Sequence, residues 1–218
     1  MYLKVSPEGE GFIPSHRETV IGQPGAVSTM KWYLDQPSKS GMAFLITGPS
    51  GSGKTTLAEC AARYWGVAEW DIHKVESAEC DVERLRKLAG NMRVYGVGRE
   101  GRKLYVIDEI HTVTGRAADR MLSLLESLPS HVVVVGTTTE TNWTDGILLS
   151  RWTRIDLAKV RSGDVAAHLE AVAKAEGLPV PADAKWAEKM VKYHGLNIRD
   201  QLNQLPARLL GMTTAVAA

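Results

Sequence analysis

A chain of 218 residues can form one large domain, or one domain with a small companion, and can bury a core without disulfides or metals. With 44% hydrophobic residues in strand-sized runs, it is globular in composition and has no membrane-spanning helix. A formal net charge of +1 excludes a global field that draws the protein to nucleic acid, so any DNA contact must come from a local patch or from patches pooled in an oligomer. Met1-Tyr2-Leu3-Lys4 leads into polar and charged residues, so no signal peptide is expected. Cys60 and Cys80 have no close Cys or His partner, which argues against zinc and against a disulfide framework, and Cys60 falls on the apolar side of a helix. These features predict a cytoplasmic protein.

The first periodic segment has Val27, Met30 and Leu34 on one helical face. Ala43-Phe44-Leu45-Ile46-Thr47 follows as a buried strand. Next comes Gly48-Pro49-Ser50-Gly51-Ser52-Gly53-Lys54-Thr55, a full match to G-x-x-x-x-G-K-[ST], and a helix over Thr56–Ala62. A strand feeding a glycine loop that opens a helix aims several backbone N–H groups at one point. The glycines permit close wrapping, Lys54 can reach the β- and γ-phosphates, and the Thr55 hydroxyl can ligate Mg²⁺. The loop residues Pro49, Ser50, Gly51, Ser52 and Gly53, with Lys54, Thr55 and Thr56, are therefore the expected ATP-binding set.

A short strand is expected near Asp71–Val75, then a helix from about Asp81 carrying Leu85, Leu88 and Met92. Leu104-Tyr105-Val106-Ile107 is a second buried strand, ending in Asp108-Glu109, the Walker B pattern. In parallel α/β sheets ligands sit beyond the carboxyl ends of strands, so both motifs serve one edge. Asp108 would orient Mg²⁺ and Glu109 would act as general base toward water. Met121, Leu124, Leu125 and Leu128 mark another helix. Val132-Val133-Val134-Val135 is a strand ending in Gly136-Thr137-Thr138-Thr139, where a hydroxyl could meet the γ-phosphate or the lytic water; Thr138 is the first choice and Thr139 the second. From about Lys159 no strand signal remains. Val165, Leu169 and Val172 define one helix, a second runs near Asp183–Tyr193, and a third follows Asn197 as N-cap with Ile198, Leu202, Leu205 and Leu209 buried. Pro206 should kink or shorten that helix. The expected fold is α/β with a mostly parallel five-stranded sheet at 1–158, followed by a small all-helical lid at 159–218.

Together these residues resemble an AAA+ ATPase, and more narrowly a sliding-clamp-loader subunit of the bacterial γ/τ or replication factor C small-subunit type. The likeness runs from about Pro14 to Leu210. Val20-Ile21-Gly22-Gln23 is similar to the V-G-Q element whose apolar residues hold adenine, which implies Val20 and Ile21 as nucleotide contacts. Leu104–Glu109, Ile110–Thr114 and Leu122–Glu126 resemble the γ/τ subunit, and Thr137–Thr139 its sensor 1. Ser150-Arg151-Trp152 falls where loaders carry Ser-Arg-Cys, which implies Arg151 as an arginine finger acting in trans, pushed outward by Leu148-Leu149. Gly195–Asp200 resembles sensor 2, which implies that Arg199 couples the lid to the nucleotide.

The resemblance further implies a homo- or hetero-oligomer of AAA+ subunits, a sliding clamp and primer–template DNA as partners, and no membrane. Arg84, Arg86, Lys87 and Arg93, with Arg99, Arg102 and Lys103 in a Gly-rich loop, could track a phosphate backbone, and they equally suit a solvated helix face. The chain departs from the family in four ways. No collar domain follows the sensor 2 helix, and Arg63–Lys74 lacks the zinc-module cysteines. Ile13-Pro14 stands for Arg-Pro, and Trp152 replaces the signature Cys. This brevity fits a compact viral or plasmid-encoded loader. A helicase loader or branch-migration motor shares every motif, and a nucleotide-gated assembly module with little turnover is the third alternative.

Overall fold

The structure, a computed structural model, describes residues 20–36, 41–140 and 150–216, with the side chains of the last helix to residue 211. Contacts divide the chain into two compact units. One holds Pro24–Pro49 and Lys54–Leu157; the other holds Ala158 onward together with Ser50–Gly53 and the segment ending at Gln23. Among the described residues no helix is long and apolar enough to cross a membrane.

The first unit is built on five strands: β1 Met42–Thr47, β2 Ile72–Glu76, β3 Lys103–Asp108, β4 Val132–Thr138 and β5 Thr153–Asp156. Their order is β2-β3-β4-β1-β5 and every pairing is parallel. The three central strands are the continuous apolar runs of the sequence, as expected of strands covered on both faces. The helices are α1 Pro24–Asp35, α2 Lys54–Tyr64, α3 Val82–Met92 and α4 Gly115–Glu126. α3 starts where Asp81 caps it, the carboxylate accepting from the Arg84 N–H at 2.6 Å. Leu85, Leu88 and Met92 of α3 and Met121, Leu124 and Leu125 of α4 share one core with Leu45, Tyr105, Ile107 and Val134 of the sheet.

β5 has no place in the hydrophobic pattern. Thr153-Arg154-Ile155-Asp156 buries only Ile155, and it is a strand because the exposed side of β1 accepts it, Phe44 opposite Thr153 and Thr47 opposite Asp156. β2 begins one residue later than expected, because Glu69–Asp71 forms a 3₁₀ turn. Trp152, just ahead of β5, is buried. Its ring lies 3.2 Å from where a Cβ on Gly136 would stand, and Ile110 lies 3.3 Å away on the same vector, so the glycine in β4 leaves the room that the indole fills.

The second unit contains α5 Ser162–Ala175, α6 Trp186–His194 and α7 Ile198–Val216. Val165, Leu169, Trp186, Met190, Leu202, Leu205 and Leu209 form its core. Pro206 does not end α7, which runs on to Val216. Leu202, Leu205 and Leu209 bury a continuous stripe past the proline, and that burial outweighs the one backbone hydrogen bond Pro206 cannot donate.

Trp152→Ala removes an indole from a packed core and should destabilise the first unit by about 3–5 kcal/mol. Urea denaturation followed by far-UV circular dichroism should show the midpoint fall accordingly.

Candidate functional site

Parallel pairing brings the ends of β1, β3 and β4 to one edge, with Thr47 opposite Thr138 and Glu76 opposite Asp108. From β1 the chain leaves for the far edge at β2, and β1 lies between β4 and β5, so a crevice opens at the carboxyl end of β1. The chain passes from β1 into the glycine loop there. Gly51 and Gly53 have φ of 74° and 95°, a conformation that L side chains rarely adopt. A Cβ on Gly51 would run into the side-chain amide of Asn197, and a Cβ on Gly53 would lie 3.5 Å from Val20. Ser52 Oγ is buried with no hydrogen-bond partner among the described residues. Such an orphan costs about 1–3 kcal/mol unless a ligand oxygen meets it. A glycine cradle at a helix N-terminus with an unsatisfied hydroxyl inside it fits a phosphate chain.

The Lys54 ammonium donates to the carbonyls of Gly48 at 2.9 Å and Pro49 at 3.1 Å, which folds it across the loop. Thr55, next on α2, donates to Asp108 Oδ1 at 3.3 Å, and Thr137 of β4 donates to the same oxygen at 2.8 Å. Thr55 and Asp108 are hard oxygen donors of the kind that Mg²⁺ takes beside phosphates. Among the described residues no group of three His, Cys, Asp or Glu side chains could hold a metal ion, so a cation at Thr55 and Asp108 would need further ligands such as nucleotide oxygens.

Glu109 is the only described non-glycine residue with positive φ, at φ 53° and ψ 48°. Strain of this kind, of order 1–3 kcal/mol, persists where the surroundings enforce it. Here they do: the Glu109 N–H reaches Thr137 Oγ1 at 3.4 Å, and Glu109 Oε2 accepts from the Thr139 hydroxyl at 3.1 Å and the Thr139 N–H at 3.3 Å. His111 Nδ1 lies 3.3 Å from the same oxygen, and its Nε2 lies 3.4 Å from Glu140. Thr138 is fully buried, and its hydroxyl engages His111 at 2.9 Å and accepts from the Glu140 N–H at 3.0 Å. The threonines on the two carboxylates are thus Thr137 and Thr139. The sequence reading gave Thr137 and His111 no role. The useful signal was the strand period of two, which pairs 137 with 139 and sets 138 apart.

Of the other expected site residues, Val20 is buried, Ile21 is half-buried, and Pro49, Ser50, Thr56 and Arg199 are exposed, Arg199 in the first turn of α7. Asn197 caps that helix by accepting from the Asp200 N–H at 3.3 Å. Gln23 is bolted to Ala158 by a reciprocal pair of hydrogen bonds at 2.6 and 3.0 Å. Arg151 is exposed and bonded to Glu126. Leu148, Leu149, Ile13 and Pro14 lie outside the described residues. On α3, Arg84 sits 3.9 Å from Glu79 and Lys87 2.8 Å from Glu83, while Arg86 and Arg93 are exposed. Lys103 is no surface charge: it opens β3, buried, donating to the Asn91 carbonyl at 3.0 Å. Arg102 lies over the Trp65 ring at 4.9 Å. Burial raises the thiol of Cys60 and pushes that of Cys80 up to about 11, so neither is a nucleophile at neutral pH. Burial would raise the carboxyl of Asp156 at the end of β5, but hydrogen bonds from Thr47 and Arg154 outweigh it and hold that carboxyl below its ordinary value.

A parallel sheet of this order, with a phosphate cradle after β1 and an Asp-Glu pair after β3, defines a P-loop nucleotide-binding protein. The family described as "ATPase family associated with various cellular activities (AAA)" matches residues 44–159, more than half of the chain, and the chain belongs to that family. It is 27% identical over 192 residues to DNA polymerase III subunit tau of Bacillus subtilis, covering 78% of this chain and 34% of that protein. To replication factor C subunit 3 of Blastobotrys adeninivorans it is 22% identical over 208 residues, covering 92% of this chain and 60% of that one. The RuvB Holliday junction branch migration motor of Thermotoga maritima superposes with a TM-score of 0.71 at 21% identity, over 91% of this chain and 65% of that one, which is a likeness of fold. The chain spans about a third of the length of the tau subunit it matches.

Gly51→Ala would force a Cβ into Asn197 at a left-handed position. Titration with a fluorescent ATP analogue should show at least ten-fold weaker binding, with an unchanged circular dichroism spectrum.

Proposed function

We propose that this chain is the ATP-hydrolysing subunit of a clamp-loader-type AAA+ assembly, which couples ATP binding and hydrolysis at subunit interfaces to the loading of a sliding clamp on primed DNA. The observation that carries the reading is the placement of Arg151. β5 pairs with β1 as Phe44 opposite Thr153, so Arg151 stands about level with Met42, five residues before Thr47. At about 3.3 Å per residue that is roughly 16 Å below the nucleotide edge, beyond an arginine's reach. A guanidinium held outward there serves another molecule, and the ATP-bound edge of a second copy is the partner whose charge it fits.

Within one subunit the glycine loop and the α2 N-terminus would bind the phosphates, with Val20 and Ile21 against the base. Mg²⁺, bound with the nucleotide at Thr55 and Asp108, supplies charge neutralisation on the phosphate oxygens. Glu109 would take a proton from water as its oxygen attacks the γ-phosphorus. The bond to the β–γ bridging oxygen breaks, and ADP and phosphate leave. Thr139 and His111 hold the Glu109 carboxylate, and Thr137 links the Glu109 backbone N–H to Asp108 Oδ1. The neighbour's Arg151 would meet charge on the transferred phosphoryl group, and Arg199 would report occupancy to the helical unit. Arg86 on α3 and Arg93 just after it are the charges most available to a DNA backbone, with Arg84 and Lys87 partly neutralised. Likeness to the tau and replication factor C subunits supports the clamp as client. The fold likeness to RuvB fits a second reading as well, in which the chain is a helicase loader or a branch-migration AAA+ ATPase.

Lys54→Ala should abolish ATP binding. Glu109→Gln should bind ATP and lose at least 100-fold in kcat, within the range for a lost general base; wild-type turnover in that variant would remove Glu109 from the role. Immobilised Glu109→Gln protein with ATP should retain the sliding clamp from a mixture of purified clamp and replicative helicase. Retention of the helicase instead would select the second reading.

A further inference from the structure

Arg151 is aimed by its own chain. Its Nε and Nη2 both donate to Glu126 Oε1, at 3.2 and 2.7 Å, and its Nη1 donates to Ser150 Oγ at 3.1 Å. Glu126 is the last residue of α4, a helix packed into the main core, and Trp152, next to Arg151, is buried against Gly136. Guanidinium carries five N–H donors in a rigid planar fork. Glu126 takes one from Nε and one from Nη2, and Ser150 takes one from Nη1. Among the described residues this leaves one N–H on each terminal nitrogen, enough for two bonds to a phosphate.

The ion pair is 44% and 48% exposed, a setting in which salt bridges add little to stability. Its consequence is directional: an exposed arginine, otherwise free to sample many rotamers, is confined by an acceptor fixed at a helix end. We propose that Glu126 is a positioning residue, holding the side edge of the Arg151 guanidinium so that its end faces a phosphate on an adjoining copy of this chain. The proposal rests on the reading of Arg151 as a residue that acts in trans. Glu126 touches no reacting atom and acts only through Arg151.

A complementation assay separates the two. An acceptor chain carries Arg151→Ala with an intact Walker pair. A donor chain carries Glu109→Gln with Arg151 intact. Neither turns over ATP alone, and their mixture should, since donor arginines complete acceptor sites. Glu126→Gln added to the donor should lower kcat of the mixture about ten-fold, with the KM for ATP within two-fold. Glu126→Asp in the donor should recover part of the loss. The donor-side loss should exceed the loss from the same substitution in the acceptor at least five-fold. Mass photometry with ATPγS should show the substituted donor in the mixed assembly. Full or raised turnover with the Glu126→Gln donor overturns the proposal, and so does equal loss from either side. A donor that no longer assembles also overturns it, because the pair would then be an interface contact. If the unsubstituted mixture shows no turnover above its separate chains, the trans reading of Arg151 falls and the proposal with it.

Discussion

One carboxylate oxygen ties the site together. Asp108 Oδ1 accepts from Thr55 at the start of α2 and from Thr137 at the end of β4 while itself ending β3. Three elements far apart in sequence are thereby referenced to a single atom. The reference matters because the chemistry needs a phosphate cradle, a metal-facing carboxylate and a base in fixed relation. A hydroxyl bonded to a carboxylate is among the stronger neutral–ionic contacts. Thr137 extends the network by accepting the Glu109 N–H, at the one described non-glycine residue held in a left-handed conformation. The backbone there turns sharply enough to place two adjacent carboxylates in different environments, one against α2 and one against Thr139 and His111.

Charge is apportioned with similar economy. The net charge of +1 is a near balance of 26 Lys and Arg against 25 Asp and Glu. Of the three basic residues on α3, Arg84 and Lys87 face glutamates, and Lys103 and Arg102 are absorbed into the fold. Arg151, exposed, has its guanidinium held by Glu126.

Trp152 shows how a departure from a familiar signature is absorbed. An indole where loaders carry a cysteine needs volume, and Gly136 in the adjacent strand supplies it. The same packing anchors the residue beside Arg151.

Much of the fold and the cradle was legible in the sequence because they rest on local patterns. Continuous apolar runs marked β1, β3 and β4, a period of 3.6 marked the helices, and eight residues spelled the phosphate loop, since backbone N–H groups can converge on an anion only with glycines at those positions. β5 was not legible, because an edge strand that buries one residue has no periodicity of its own and exists by pairing with β1. Nor was the persistence of α7 past Pro206, which rests on burial against other helices. The choice among Thr137, Thr138 and Thr139 and the pairing of Arg151 with Glu126 are relations between side chains on different elements. By itself the sequence determined the strand runs, the cradle and the acidic pair, through short-range sterics and hydrophobicity. Only the tertiary structure decided which hydroxyl meets which carboxylate and where the arginine points, because strand register and helix packing, not sequence spacing, set those distances.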